Sequence, residues 1–170
     1  MRSALRFEAA DGSVIVELDA DGLAALAAGE SAGSPWRLAS APDWGRFDSL
    51  RLLAASFGNG SIAALTALRP AGADGHDADQ VAAVLVDRGE TVKSAHEALL
   101  STEVDADGRV RRIGLEIWTS EDPPPRRLAA DRAHSSDAGD DGVERETVLM
   151  DARLDGEGGT ALFEVLRPAE

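Results

Sequence analysis

The sequence has no cysteine, no tyrosine and a single lysine, Lys93, and no apolar run approaches the length of a membrane span. Each absence removes a class of protein. Without cysteine there is no disulfide framework, no thiol nucleophile and no thiolate metal site. That fits a reducing compartment, and the expected location is the cytoplasm. A membrane helix requires roughly 18 apolar residues in succession, so no membrane insertion is expected. Residues 1–12, MRSALRFEAADG, place acidic side chains where a secretory signal needs an apolar stretch, and no signal peptide is expected. Abundant arginine, aspartate and alanine beside the lone lysine read as GC-rich coding, which makes any single Arg or Asp less informative.

What is present describes a globular chain. Its 170 residues, 44% hydrophobic and 28% charged, suit one domain over residues 1–170 with a core large enough to need no staples. The formal charge of -14 repels polyanions, so neither nucleic acid nor an anionic membrane surface is an expected partner.

Turn chemistry organises the chain better than helical periodicity. Alternating apolar residues lie on both sides of Asp11-Gly12, the mark of a hairpin. Residues 21–29, DGLAALAAG, predict two turns of helix ending on a C-cap glycine, and residues 29–35 a loop. Residues 46–57 and 61–68 form the clearest hairpin, around Gly58-Asn59-Gly60. Both its faces are apolar, which predicts a central position covered on both sides. Residues 81–86 read as a strand, and 91–99 as helix or strand. A third hairpin joins 100–104 to 109–118 across Asp105-Ala106-Asp107-Gly108. Residues 126–134 read as a strand and 135–142 as an acidic loop. A last hairpin pairs 143–154 with 160–166 across residues 155–159. The sum is an all-β, antiparallel, calycin- or lipocalin-like barrel or closed sandwich of about nine or ten strands with one short helix.

Candidate chemistry is sparse. The two Asp-x-Asp-Gly segments, at 19–22 and 105–108, lack the third acidic position and the distant glutamate of a calcium loop, and read as turns. His76, His96 and His134 show no metal-ligand spacing, so no metal site is expected; His76 stands out only for its Gly-rich loop beside Asp77 and Asp79. No nucleophile elbow or phosphate-binding loop occurs, and no cofactor is expected. Trp36 and Trp44 bracket residues 38–43, either capping a cavity mouth or anchoring the loop to the core. On the strand after Gly108, Ile113, Leu115 and Ile117 take one face, and Arg112, Glu116 and Trp118 the other. Facing inward, that second set would give a pocket with a charged pair and an aromatic wall; facing outward, it would be an ordinary surface ion pair.

Residues 103–118, EVDADGRVRRIGLEIW, resemble the C-terminal part of bacterial proteins grouped with the hydroxyneurosporene synthase (carotenoid hydratase) and AttH-like families. Phe57-Gly58-Asn59-Gly60-Ser61, Ala67-Leu68-Arg69-Pro70 and Gly75-His76-Asp77 extend the resemblance over residues 47–118. It implies a lipocalin-type barrel acting on or holding isoprenoid-like molecules. Members commonly carry two such barrels, and 170 residues hold one, so a site shared between barrels would be incomplete and no catalytic residue is carried over.

Three functions follow as expectations. The first is a barrel binding a small apolar or isoprenoid-like molecule, with Arg112, Glu116, Trp118, Glu103 and His76 as candidate ligand contacts. The second is an isoprenoid-modifying hydratase or cyclase, whose buried acid would be Glu116 or Glu103. The third is a non-catalytic interaction module pairing through a strand edge or apolar patch, with self-association left open.

Overall fold

The computed structural model describes residues 5–8, 15–29, 34–75, 78–88, 92–119 and 124–170. Short strands β1 (Leu5–Glu8) and β2 (Ile15–Leu18) pair antiparallel with Leu5 opposite Leu18, as alternation around Asp11-Gly12 predicts; the turn itself lies outside the described residues. Helix α1 (Ala20–Ala27) starts at Asp19, whose carboxylate accepts the Asp21 N–H at 3.0 Å and satisfies an otherwise orphaned donor. It stops at Gly29, whose φ of 71° suits a residue without Cβ. Strand β3 (Trp36–Leu38) adds to β2 and completes a three-stranded sheet. Nothing in its three residues signalled a strand; its pairing with Val16–Leu18 supplies the order.

The main sheet is built from β4 (Phe47–Phe57), β5 (Ile62–Pro70), β6 (Gln80–Val86), β7 (Lys93–Ser94), β8 (Glu97–Val104), β9 (Val110–Trp118), β10 (Arg126–Asp140), β11 (Val143–Leu154) and β12 (Glu157–Pro168). Its nine strands are antiparallel, in the order β7-β6-β5-β4-β12-β11-β10-β9-β8, and curl strongly into a half-barrel. The expected all-β, barrel-like architecture with one short helix is therefore present among the described residues. The curl brings the edges together at one corner. There β7 runs into β8 through Ala95 and His96, whose N–H groups donate to Ala83 of β6 and Trp118 of β9 at 2.8 and 2.6 Å.

Two layers of core follow from period-two alternation. Register carries one inward row from Ala83 through Leu65, Leu53 and Phe163 to Val148. With Ile113, Leu115, Ile117 and Met150, this row belongs to the packed interior of the curl. On the opposite face of β4, β5 and β12, Leu50, Leu52, Leu162 and Leu166 are covered by Leu23 and Leu26 of α1 and by Val16, Leu18 and Trp36 of the small sheet. Apolar residues on both faces of β4 and β5 thus mark a central, doubly covered pair, as the sequence predicts.

Two boundaries differ. Residues 135–140, expected as an acidic loop, continue β10 past a bulge at residues 132–134 and pair with the start of β11. They project beyond the core and stay exposed, so their polarity mimics a loop while the backbone ladder holds them extended. The last turn is two residues long, not five. Asp155 and Gly156, like Asp141 and Gly142, take positive φ (48° and 91°; 49° and 77°), and β12 resumes at Glu157. Asp-Gly supplies the paired left-handed residues of the hairpin turns that match strand twist.

Gly159 faces inward opposite Phe57 in that last hairpin. A Cβ there would lie 2.2 Å from the Ser56 carbonyl oxygen and 2.6 Å from the Phe57 ring, whereas a Cβ on Gly158 meets nothing within 4 Å. Gly159→Ala is expected to cost about 1–3 kcal/mol in urea unfolding, with Gly158→Ala changing stability by less than about 0.5 kcal/mol. Equal effects would show that the Phe57 contact is not tight.

Candidate functional site

The interior of the curl is apolar over most of its depth and polar at one end. Along β4 the inward set Phe57, Ala55 and Leu53 continues into Arg51 and Ser49. A charged side chain inside a barrel needs partners, because unpaired charge in a low-dielectric interior is costly. Arg51, 7% exposed, donates to the Asp79 carboxylate, itself 1% exposed, and to Thr102 Oγ1 at 3.4 Å. Arg69 Nε reaches the second Asp79 oxygen at 3.3 Å. Burial pulls the Arg51 guanidinium below the ordinary arginine value and Arg69 adds to this, while Asp79 opposes both; the group stays cationic. These contacts tie the centre of the sheet to the start of β6 and to β8.

Above Arg51 lies an opening of about 370 Å³, with Arg69 and Arg167 at its rim and Val104, Val110 and Val165 on its walls. Its described lining includes Arg51 and Arg69, both paired with Asp79, together with Arg167 and one carboxylate, Asp48. Arg167 makes no ion pair among the described residues. A second cleft of about 540 Å³ shares Val165 and Arg167 and runs toward the Arg109–Asp137 ion pair and Glu144. Its buried Glu146 accepts the Val110 N–H at 2.8 Å and so fixes the start of β9. Beside it Arg132 donates to Asp105 at 2.8 Å, holding that carboxyl below the usual range. The Asp105 carboxylate also accepts the N–H groups of Asp107 and Arg109, which accounts for the Asp-x-Asp-Gly spacing as a turn.

The residues singled out from sequence lie elsewhere. Arg112, Glu116 and Glu103 are on the outer face, each in its own solvent-exposed pair: Arg112 with Asp131 at 3.5 Å, Glu116 with Arg127 at 3.5 Å, Glu103 with Arg111 at 2.9 Å. Trp118 is half-buried at the end of β9, beside Glu97. Ile113, Leu115 and Ile117 fill the interior, so the opposite parity must face out. An opening of about 640 Å³ on this outer side passes Glu116 and Arg127 over Ser101, Gly114 and Ala129. His76 lies outside the described residues. Trp36 is buried against Phe7, with ring centres 5.5 Å apart, and Trp44 packs on the same cluster, so both anchor their loop. Arg51 was the signal sequence reasoning passed over: a lone charge inside a segment apolar on both faces.

One other carboxyl is wholly buried. Glu164 lies on the covered face of β12, where Ser34 Oγ donates to it and Arg145 stands 3.7 Å away. Its second oxygen and the indole N–H groups of Trp36 and Trp44 have no hydrogen-bond partner among the described residues. Burial pushes the Glu164 carboxyl up, opposed by Ser34 and Arg145.

The chain matches no protein-family model, and no curated protein matches it.

Two measurements check this electrostatic account. Arg51→Met is expected to lower stability by about 3–5 kcal/mol, because removing one member of a buried pair strands the other's charge. Asp79→Asn added to that variant costs much less than Asp79→Asn alone; additive losses in urea titrations would mean the two do not act as a unit. For Glu164 the folded-state value is raised, so folding takes up a proton, and stability falls as pH rises from the ordinary carboxylate range through the raised value. Glu164→Gln is expected to be more stable than the parent at neutral pH, with the difference shrinking toward about pH 4. A difference constant across that range would contradict the assignment.

Proposed function

We propose that this chain is a small-ligand-binding barrel whose ligand is an amphipathic acid. Its acidic group meets Arg51, Arg69 and Arg167, and its apolar part lies against Val104, Val110 and Val165. The observation that carries this reading is Arg51, an inward, buried guanidinium at the floor of an opening whose size is that of a small-molecule site. Guanidinium groups suit carboxylates and phosphates because they donate two parallel hydrogen bonds in a fixed fork. The chain's net charge of -14 opposes long-range capture of an anion, so affinity has to come from contacts at the mouth.

The interior below Arg51 is occupied by Leu53, Leu65, Phe163 and Ile113, which keeps the ligand at the mouth and its apolar part short or folded along the groove. An isoprenoid-like acid fits that description, and the resemblance over residues 47–118 supports it. Hydration or cyclisation would need a buried acid touching the ligand. Glu116 and Glu103 are ion-paired on the far face, so neither is that acid.

Octanoate and octan-1-ol share a tail and differ in the charged group. In calorimetric titration octanoate is expected to bind about tenfold or more tightly than the alcohol, the scale of one charge-assisted hydrogen bond. Arg167→Glu, a change at an exposed position, is expected to remove that preference and leave the weak alcohol binding as it was. Equal binding of acid and alcohol, or no effect of Arg167→Glu, would sink the proposal.

A further inference from the structure

The mouth does not end at Arg167. The cleft of about 540 Å³ beyond it shares Val165 and Arg167 with the mouth, so the two adjoin on the inward face of the sheet. Register sets Arg51, Val165 and Glu146 side by side in a single row across β4, β12 and β11. Two strand spacings separate the first from the last, about 10 Å. A guanidinium, an apolar floor and a carboxylate therefore follow one another across the polar end of the curl. Two of the arginines in the cleft are already matched: Arg109 pairs with Asp137, and Arg145 reaches Glu164 on the opposite face. What remains among the described lining residues is Asp107, Glu144 and Glu146 against Arg167. Asp107 and Glu144 are exposed and stay solvated. Glu146 is different. It is 8% exposed, and its one hydrogen bond among the described residues comes from the Val110 N–H. A single neutral donor does little to offset the desolvation of a carboxylate, and a cation is the partner that would.

We propose that Glu146 is a subsite for an organic cation, and that the ligand is a zwitterion with an ammonium group separated from its acid by a short apolar chain. The inference rests on the acid-binding reading of the mouth and adds a second charge to that ligand. The acid meets the arginines, the chain crosses Val165, and the ammonium donates to the Glu146 carboxylate. Whole-molecule charge agrees with this: a net charge of -14 repels a simple anion but not a zwitterion of no net charge. An inorganic cation is a poorer occupant, because no group of three or more residues suited to a metal ion occurs among the described residues.

The probes are octanoate and 8-aminooctanoate, titrated into the full chain and followed by calorimetry and backbone amide shifts. An ammonium added to a chain end that lies against apolar walls weakens binding, because it must be desolvated. With Glu146 to receive it, the amino acid is expected to bind about tenfold more tightly than octanoate, the scale of one hydrogen bond between charged groups. It is also expected to shift the amides of Gly108 and Glu144, which line the second cleft and not the mouth, whereas octanoate leaves them in place. Glu146→Gln keeps an acceptor for the Val110 N–H while removing the charge, and is expected to abolish the tenfold gain. Octanoate binding with no gain for the amino acid, or a gain that survives Glu146→Gln, would overturn the cation subsite and leave the acid-binding reading standing. If the variant does not fold, the parent chain still decides, since shifts confined to the mouth with 8-aminooctanoate would also overturn the subsite. Failure of both probes to bind would remove the acid-binding reading and this inference with it.

Discussion

The Arg51–Asp79 pair is the interaction on which the polar end of the molecule depends. Arg51 comes from the middle of the sheet, Asp79 from the start of β6 near one edge, and Thr102 from β8 at the other edge. Backbone hydrogen bonds close the curl at the opposite corner, through Ala95 and His96. At the open end a buried charge network takes the place of a ladder. Such a network is weak evidence for net stability, because desolvation offsets much of the attraction. It is stronger evidence for a fixed geometry: with Arg69 on the same carboxylate, the guanidinium has little freedom in where it points.

That geometry divides the interior. Below Arg51, leucine, isoleucine, methionine and phenylalanine side chains pack the curl, and the small sheet with α1 seals the outer face of β4, β5 and β12. Above it, inward positions carry Ser49, Thr102, Glu146 and Arg167. The barrel is a packed support for a polar mouth, not a hollow container. On the proposed reading, a ligand at the mouth would rest on a rigid base and need no displacement of core side chains. Glu164 is the exception on the sealed face, a carboxyl held beneath the small sheet by one hydroxyl and an arginine 3.7 Å away.

Much of this architecture could be read from local chemistry. Asp-Gly and Gly-Asn-Gly turns located the hairpins, and the doubly apolar residues 46–57 announced the central strand. Residues 135–140 could not be read, because a ladder beyond the core carries no hydrophobic pattern. Neither could β3, which is ordered by its neighbour. The candidate site was missed for a different reason. Alternation shows that Arg112 and Glu116 oppose Ile113 and Leu115 without saying which set faces in, and the packed interior decides it. Arg51 was visible as a charge between Leu50 and Leu52, but in an arginine-rich chain that signal needed Asp79 beside it, and Asp79 arrives from 28 residues away through the β5–β6 connection.

The most direct test of the account is to map where a small amphipathic acid binds, by following backbone amide chemical shifts during titration with octanoate. The titration separates the arginine-lined mouth from the larger opening on the outer face. Shifts concentrated at Arg51, Thr102, Val110, Val165 and Arg167 are the expected result. Shifts concentrated at Ser101, Gly114, Glu116 and Ala129 would place the ligand on the outer face and contradict the assignment of the mouth as the binding site.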